Sequence, residues 1–284
     1  MSCTADPSSI SDPLAALARF VERYPRLFVL TGAGCSTDSG IPDYRDGNGD
    51  WKRRQPVRYQ EFVACERTRR RYWARSLLGW PAFARARPNA THGALARLEA
   101  AGFMHQMVTQ NVDGLHQQAG SRRVIDLHGR LDAVDCLHCR HRGPREAFQR
   151  MLAENNPAFA TLAATVGPDG DAELETADFS GFRVPDCPRC GGMLKPAVVF
   201  FGETVPKPRV ERAGRRLAEA DALLVIGSSL MVFSGYRFCI QAAARGQPIA
   251  AVNLGRTRAD GALALKVSRP CGPALNGLLE RLGC

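Results

Sequence analysis

Two pairs of cysteines constrain this chain more than any other feature. Cys136 and Cys139 form one Cys-x-x-Cys pair, and Cys187 and Cys190 form a second, with 47 residues (140–186) between the pairs. Four thiolates complete a tetrahedral zinc site that leaves no position for a reactive water. The spacing therefore predicts a structural zinc that holds a small module together, with any chemistry elsewhere. Two redox dithiols are the alternative, although a redox motif needs only one pair.

The composition predicts a globular chain of about two domains. Of the 284 residues, 45% are hydrophobic, which is enough for a sizeable core. No apolar run reaches the length of a membrane span, and the first residues resemble neither a secretory signal nor a transit peptide. The cysteines outside the two pairs are scattered without a disulfide framework. We therefore expect a cytoplasmic protein with no membrane partner.

The net charge of +10 indicates anionic partners such as phosphates, an acidic substrate or nucleic acid. Much of the excess lies in the helical-looking stretch 52–75. A solvated helix face is the favoured interpretation, because no pattern of stacking aromatics or of a recognition helix accompanies the charge. Nucleic acid is therefore not an expected partner.

Short apolar strands that end in polar or glycine-rich loops indicate a parallel sheet. The predicted strands cover residues 27–30, 107–109, 222–226 and 249–252. A first helix is predicted over 11–23, and further helix-like stretches lie near 91–101, 206–220 and 235–245. This alternation is typical of βαβ units, in which the loops after the strands converge on one ligand site.

The fold class is therefore α/β: a Rossmann-like parallel sheet domain with an inserted smaller domain that contains a zinc module and a helical part. We assign the sheet domain to 1–46, 89–129 and 196–284, and the smaller domain to 47–88 and 130–195. Within the smaller domain, 155–180 is predicted to be a turn-rich loop around Pro168-Asp169-Gly170-Asp171.

The first glycine-rich loop departs from the dinucleotide fingerprint of dehydrogenases. Gly32 and Gly34 supply the first two glycines of G-x-G-x-x-G, but Thr37 occupies the third position. This weakens the case for classical hydride transfer. Taken alone, the loop is better interpreted as a structural glycine turn.

The residues that follow change this interpretation. The string 32–45 (GAGCSTDSGIPDYR) closely resembles the signature of the sirtuins, the NAD-consuming protein deacylases. Further similar motifs follow in the order of that family, at 109–116, His128-Gly129, the cysteine pairs, 199–203, 227–230 and 252–253. The resemblance spans the chain from about residue 14 to its end.

The resemblance implies that NAD+ is a co-substrate and that the protein holds one structural Zn2+. Backbone amides of Gly32 and Ala33, with Arg45, would bind the pyrophosphate. Ala33, Ile41 and Val112 would surround the nicotinamide, and Cys271 would lie against the adenine. The full implied set of cofactor-binding residues is Gly32, Ala33, Gly34, Cys35, Ile41, Asp43, Tyr44, Arg45, Gln110, Asn111, Val112, Asp113, Gly227, Ser228, Ser229, Asn253, Leu254, Gly255 and Cys271.

Two residues carry the catalytic roles that the resemblance implies. In sirtuins the acyl oxygen of a modified lysine attacks the ribose as nicotinamide leaves, and a histidine then removes a ribose proton. His128 would be that base, since a near-neutral imidazole suits the proton transfer. Asn111, with Gln110, would position the ribose and a water. We expect the other histidines of the core, including His116, to be structural.

The substrate would bind in two places. The run 198–203 alone predicts a core strand, but the resemblance makes it an edge on which an acyl-lysine peptide adds as a strand. Its substrate-binding residues are Val199, Phe200, Phe201, Gly202 and Glu203. Tyr72 and Arg75 share a helix face and could bind a carboxylate at the end of an acyl chain. Alternatively, Arg75 belongs only to the solvated basic face.

Three features resemble class II sirtuins, the group of sirtuin 4. They are Cys35-Ser36-Thr37 with Tyr44, the string 71–75 followed by 79–81, and the loop around 168–171. The resemblance implies an NAD-dependent lysine deacylase, with lipoamide cleavage or ADP-ribosyl transfer as alternative main activities. A Rossmann oxidoreductase is disfavoured by Thr37, and a zinc nucleic-acid-binding module would leave His128 without a purpose. We expect a monomeric, cytoplasmic enzyme of the bacterial type.

Overall fold

The computed structural model describes residues 12–52, 55–162, 165–166, 170, 172–173 and 178–284. Its strands are, in chain order, β1 (Leu27–Thr31), β2 (Met104–Thr109), β3 (Val124–Asp126), β4 (Gly129–Cys136), β5 (Arg142–Pro144), β6 (Thr165–Val166), β7 (Ala172–Glu173), β8 (Leu194–Val198), β9 (Ala222–Ile226), β10 (Ile249–Val252) and β11 (Leu265–Val267). The helices are α1 (Pro13–Arg23), α2 (Tyr59–Ala64), α3 (Glu66–Arg85), α4 (Ala90–Ala100), α5 (Leu115–Gln118), α6 (Arg145–Asn155), α7 (Pro157–Ala160), α8 (Lys207–Ala218), α9 (Phe233–Ala244) and α10 (Cys271–Leu282).

Six strands form one sheet in the order β3-β2-β1-β9-β10-β11, and every neighbouring pair is parallel. The direction of winding reverses between β1 and β9, which is the Rossmann topology and marks the expected ligand crevice. All residues of β1, β9 and β10 are buried, as strands covered by helices on both faces must be. The predicted Rossmann-like sheet is confirmed.

Alternate residues of these strands face two different helical layers. Val29 and Leu224 pack against α1, α4 and α10. Phe28 and Leu223 point the other way, into a cluster with residues of α8 and α9. The sheet is thus the middle of a three-layer sandwich, and it holds the loops at its edge in fixed positions.

Most element predictions agree closely with the structure. β9 and β10 have the predicted bounds, whereas β2 starts three residues before the predicted 107–109, because the polar residues His105 and Gln106 interrupt the apolar pattern there. The first helix starts at Pro13 behind the cap Asp12, whose side chain accepts from Leu14 N at 3.0 Å, and Ser11 lies outside the described residues. Helix α9 starts at Phe233, two residues before the predicted 235–245.

A second, smaller region surrounds an antiparallel sheet in the order β5-β4-β8. Its core is largely aromatic: Phe62, Tyr72, Trp73 and Phe148 are buried together, with the rings of Trp73 and Phe148 4.7 Å apart. The predicted division into two domains remains a prediction. It is supported by the element order, since all strands of the main sheet lie within the ranges assigned to the sheet domain.

Parts of two predicted segments lie outside the described residues. These are residues 53–54 of the basic stretch and, in the predicted loop 155–180, residues 163–164, 167–169, 171 and 174–177, which include Pro168, Asp169 and Asp171. The described part of 155–180 is more regular than predicted, since it contains α7 and the two-residue antiparallel ladder of β6 and β7. Within the described ranges, no helix is long and apolar enough to cross a membrane.

Candidate active site and metal centre

A cavity of about 960 Å³ lies where the strands of the main sheet end. Gly32, Gln110, Gly227 and Asn253 directly follow β1, β2, β9 and β10, and all four line it. The small sheet contributes Val198, and the segment that follows it closes the opposite side. The cavity therefore occupies the crevice that the strand order predicts.

Nearly all predicted site residues line this cavity, including His128, Tyr72 and the whole segment 199–203. Two predicted site residues, Cys35 and Arg75, are not among the lining residues that the structure describes. Sequence reasoning missed several others, namely Trp51, Phe83, Leu131, Met231, Ser234 and Arg237. These residues carry no motif signal, because each reaches the cavity through the packing of its helix, strand or loop.

The glycines of the first loop allow two strand ends to approach closely. A Cβ at Gly32 would lie 2.7 Å from Ser228 Cβ, and one at Gly34 would lie 3.0 Å from the backbone of Gly227. Gly227 itself has a φ of 59°, where a side chain is strained. Gly34 N donates to Gly227 O at 2.9 Å and so ties the two loops together. The loops present backbone to the cavity at the switch point, where a pyrophosphate binds in this topology.

Cys35 lies beneath this loop, next to Cys271. Its thiol is buried and donates to Ile226 O at 3.4 Å. Cys271, the first residue of α10, lines the cavity. The neighbouring Cys35 side chain lowers the pKa of Cys271. Cys35 thus supports the cofactor loop from below, and Cys271 faces the ligand space.

A polar network fixes the loop after β2. Asn111 Nδ2 donates to Gly32 O and to Ser36 Oγ, both at 3.1 Å, and Ser36 Oγ donates to Asp113 Oδ2 at 2.7 Å. The other oxygen of Asp113 accepts from Leu115 N at 2.9 Å. Each carboxylate oxygen has a second lone pair available. Asp113, a member of the predicted cofactor-binding set, can therefore still accept from a ligand amide such as a carboxamide.

Ser228 has a hydroxyl proton available for a ligand. Its Oγ accepts from Gln110 Nε2 at 2.8 Å and from Leu230 N at 3.2 Å. A serine oxygen that accepts twice still has its own proton to donate. Ser228 lines the cavity. Ser228 belongs to the predicted cofactor-binding set, and this geometry fits a contact with a phosphate or a ribose oxygen.

The two ring nitrogens of His128 have different partners. Nδ1 lies 2.9 Å from Gln110 O, and Nε2 lies 2.7 Å from Ser234 Oγ. Because a carbonyl oxygen can only accept, Nδ1 must carry the proton. Nε2 is then unprotonated and accepts from the Ser234 hydroxyl. The lone pair that a general base requires is therefore on Nε2, beside a residue that lines the cavity.

The surroundings of His128 keep its ring neutral. Burial lowers its pKa to about 4, the carbonyl of Gln110 opposes this shift, and the positive charges of Arg209 and Arg237 add to it. An imidazole with such a pKa is unprotonated near neutral pH, as a base must be before it accepts a proton.

Aromatic residues surround Arg45 at one wall of the cavity. Its guanidinium carbon lies 4.0 Å from the ring centroid of Trp51, and Nη1 donates to Gly49 O at 2.6 Å. The ring of Trp51 also packs 5.5 Å from that of Phe201 and 6.3 Å from that of Tyr44. Arg45, predicted to contact the pyrophosphate, is thus at the cavity with its guanidinium stacked on an indole.

The segment 199–203 is not a continuation of the core strand. β8 ends at Val198, and the following backbone is held by Val199 N donating to His128 O at 2.7 Å and by Tyr59 N donating to Phe201 O at 2.9 Å. Glu203 Oε2 accepts from Phe200 N at 2.8 Å and fixes the turn. The segment therefore passes along the cavity directly beside the histidine.

Tyr72 and Arg75 differ in position although both lie on α3. Tyr72 is buried, packs with its ring 5.2 Å from that of Phe200 and lines the cavity. Arg75 is half-buried and is not among the described lining residues. The shared helix face that the spacing predicts thus brings one member of the pair to the cavity.

The four paired cysteines converge in the smaller region. All four Sγ atoms lie within 4.8 Å of one another, with 3.5 Å between those of Cys136 and Cys190 and 3.8 Å between those of Cys139 and Cys187. A tetrahedral site with Zn–S distances of about 2.3 Å places its sulfurs about 3.8 Å apart. The arrangement fits a closed zinc site with no position for water.

The backbone around Cys136 favours its thiolate form, whereas the neighbouring Cys139 side chain raises the pKa of Cys190 to about 12. Burial raises the pKa of Cys136, but the amides of Cys139 and His138, together with the side chains of Cys190 and Cys139, lower it more, to about 6. Those amides lie 3.5 and 3.4 Å from the Cys136 sulfur. A Cβ at Gly192 would lie 3.0 Å from the same sulfur, so a glycine is needed for the turn to pass this close.

The fold and the site together define a Rossmann-like protein whose ligand cavity contains a neutral histidine and adjoins a tetrathiolate module. The Sir2 family model matches residues 32–234. The chain belongs to the Sir2 family, the sirtuins.

Two curated relatives cover most of the chain. An NAD-dependent protein deacetylase of Xanthomonas campestris pv. campestris (strain 8004) is 64% identical over 261 residues, which are 92% of this chain and 89% of that protein. The NAD-dependent protein deacylase Sirt4 of Drosophila melanogaster is 47% identical over 274 residues, 95% of this chain and 88% of its own length. The second similarity agrees with the predicted likeness to the sirtuin 4 group.

Solved structures of the family match over the whole fold. A Sir2 structure with a p53 peptide and NAD+ has a TM-score of 0.77 at 28% identity and covers 95% of this chain and 98% of that one. A second Sir2 structure, with deacetylated p53 peptide and 3'-O-acetyl ADP ribose, has a TM-score of 0.77 at 29% identity and covers 96% and 99%.

Proposed function

We infer that this protein is an NAD-dependent protein lysine deacylase that transfers the acyl group of a modified lysine to ADP-ribose and releases nicotinamide. One observation carries the inference: a neutral histidine with its Nε2 lone pair beside a cavity that also presents glycine-loop backbone and the polar network of Asn111. Family members of known structure hold NAD+ and a peptide together, and one holds the acetylated ADP-ribose product.

The residues of the cavity fit NAD+. Gly32 and Gly227 let the two loops pack against each other without side chains, so that their backbone lines the cavity, and the Ser228 hydroxyl has a proton to donate. Asp113 retains an acceptor for a carboxamide. When bound, NAD+ supplies the ADP-ribose that accepts the acyl group. We propose that the full predicted set of residues serves this binding, with Cys35 supporting the loop.

We propose that His128 and Asn111 are the catalytic residues. His128 accepts a ribose hydroxyl proton on Nε2, while Gln110 O holds its Nδ1 proton and thus the ring orientation. Asn111 is anchored to Gly32 O and can orient a ribose hydroxyl or a water from a fixed position. The buried, neutral state of the histidine favours proton transfer at neutral pH.

We propose that an acyl-lysine peptide binds along 199–203. Val199 is tied to His128 through the backbone, so a peptide on this segment would present its acyl-lysine next to the base. Apolar side chains of Phe83, Leu131 and Val198 line the same cavity together with Tyr72. This lining favours acyl chains longer than acetyl.

The bound zinc has a structural role in this proposal. Four cysteines fill its coordination sphere, so the ion stabilises the smaller region and takes no part in the reaction. We also propose that the enzyme is a monomer of the cytoplasm. The described cysteines are all free, which suits a reducing compartment, and light scattering on the purified protein would test the monomer.

One experiment separates the candidate functions. The protein is incubated with NAD+ and a panel of acetyl-, glutaryl- and lipoyl-lysine peptides, and nicotinamide, NADH and peptide mass are followed. We expect nicotinamide release that depends on the peptide, together with loss of the acyl mass. Formation of NADH would indicate an oxidoreductase, a gain of ADP-ribose mass would indicate a transferase, and the absence of nicotinamide release would refute the proposal.

A further inference from the structure

The partner of His128 Nε2 is a residue with no assigned role. Ser234 is the second residue of α9, and its hydroxyl lies 2.7 Å from Nε2 while its side chain lines the cavity. Nε2 of His128 therefore already has a hydrogen-bond partner on the side that faces the cavity. Position 234 belongs to a helix whose neighbouring turn also brings Arg237 to the cavity.

We propose that Ser234 is a positioning residue for the general base, whose hydroxyl holds the Nε2 lone pair of His128 in place until a ribose hydroxyl takes over that contact. The inference rests on the proposed deacylase function. With Gln110 O on Nδ1 and Ser234 on Nε2, both nitrogens are fixed, and so are the tautomer and the ring plane.

The hydroxyl of Ser234 acts on the neutral state of the base. Before the reaction it donates to the unprotonated Nε2. In the proton transfer the O–H bond of the ribose hydroxyl breaks and an N–H bond forms at Nε2, while Ser234 keeps its own proton. An alanine cannot donate to Nε2, whereas a threonine can.

The charged groups that face His128 are unchanged when Ser234 is replaced. Arg209 from α8 and Arg237 from α9 disfavour a charged ring, and the Gln110 carbonyl favours it. Arg209 is held by its bond to Leu127 O at 3.0 Å, and Arg237 packs with its guanidinium carbon 5.1 Å from the ring centroid of Phe233. Removing the hydroxyl thus takes away one hydrogen bond that stabilises the neutral ring. We therefore expect the pKa of His128 to rise in Ser234→Ala.

The test compares Ser234→Ala, Ser234→Thr and the control Ile240→Ala, which lies on the exposed face of the same helix. Incorporation of labelled nicotinamide into NAD+ reports the step before the base acts, and deacylation reports both steps. We expect Ser234→Ala to keep exchange within about twofold and to lose about tenfold in deacylation turnover, the effect of one hydrogen bond, with Ser234→Thr recovering most of it. Ile240→Ala should match the parent.

A second readout needs no NAD+. Nitrogen NMR of the histidine rings, with His128 assigned from a His128→Gln variant, should show a neutral ring protonated on Nδ1 in the parent and a higher pKa in Ser234→Ala. Equal deacylation and an unchanged titration in Ser234→Ala would overturn the proposal, as would equal losses of exchange and deacylation. If the parent itself does not deacylate, the proposed function fails, while the titration still decides whether Ser234 holds the ring.

Discussion

The two regions of this protein are stabilised by different means. In the main sheet, β1, β9 and β10 are buried along their whole length between two helical layers, so the hydrophobic effect alone provides a large core. In the smaller region, the sheet has only β4, β5 and β8, and Cys139 and Cys190 are exposed. There an aromatic cluster and a tetrathiolate site supplement the small core.

The difference shows which region can hold reactive side chains in fixed positions. The ends of buried parallel strands are rigid positions, and the loops that follow them can hold an unprotonated histidine in a low-dielectric setting. The metal instead stabilises a region that contributes one wall of the cavity. We therefore expect substitutions at the metal site of the smaller region to lower mainly stability. Substitutions at the cavity in the main region should lower mainly turnover.

The largest effect is expected for the metal. Cys187→Ala removes one of four ligands and should lower the stability of the smaller region by on the order of several kcal/mol, because metal binding is coupled to folding. Metal analysis and thermal unfolding measure the effect. Cys65→Ala, an exposed cysteine of the same region, is the control and should retain the zinc. Full zinc content and an unchanged unfolding midpoint in Cys187→Ala would contradict the structural site.

His128, the proposed general base, should show the reverse pattern. His128→Ala should lose roughly two to four orders of magnitude in turnover, the usual contribution of a general base, while the unfolding midpoint and NAD+ affinity stay near those of the parent. Calorimetric titration with NAD+ and a deacylation assay give the two quantities. His105→Ala, paired with Glu219 far from the cavity lining, serves as the control. A turnover equal to that of the parent would remove His128 from the mechanism.

Acid should act on the main region through its buried histidines. Burial first, and then the nearby His92, lower the pKa of His116 to about 3 from the usual 6.5. The unfolded chain therefore binds the proton at a higher pH than the folded one. Stability is retained above pH 6.5 and falls as the pH drops below it.

For a single histidine this loss amounts to about 2 kcal/mol between pH 7 and pH 5. We expect His116→Gln to reduce the pH dependence of the unfolding free energy by about that amount. Denaturant unfolding at the two pH values measures it. The same slope in parent and variant would show that the pKa of His116 is not lowered in the folded protein.

Much of the fold and of the site could be predicted from the sequence, for physical reasons. Buried strands such as β9 and β10 are continuous apolar runs, and the cysteine spacing encodes a ligand set directly. The loops after the strands carry the polar motifs of the cofactor site. Each of these signals is local in sequence.

The rest depends on packing between distant residues. Ser234 lies 106 residues from His128 in sequence, and its contact requires α9 to start two residues earlier than predicted. Cys35 belongs to the signature string, yet it lies under the loop instead of facing the cavity. Helical spacing placed Tyr72 and Arg75 on one face, but only the position of the helix against the small sheet decides which of them reaches the cavity.

The smallest effect is therefore expected at Arg75. The Tyr-x-x-Arg spacing predicts a carboxylate contact, and a charge-assisted hydrogen bond of about 1.5 to 3 kcal/mol would favour acidic acyl groups about ten- to a hundredfold. Because Arg75 does not line the cavity, we expect Arg75→Met to change the ratio of glutaryl- to acetyl-lysine turnover by about twofold or less, as for a solvent-screened charge.

Tyr72→Phe is the matched comparison, since Tyr72 lines the cavity and keeps its ring in the aromatic cluster after the substitution. Acetyl-, glutaryl- and lipoyl-lysine peptides are compared on the parent and both variants. A tenfold or larger fall of the ratio in Arg75→Met would show that its guanidinium reaches the acyl carboxylate when substrate binds. In that case α3, and with it the smaller region, sets the acyl specificity of a reaction that the main region performs.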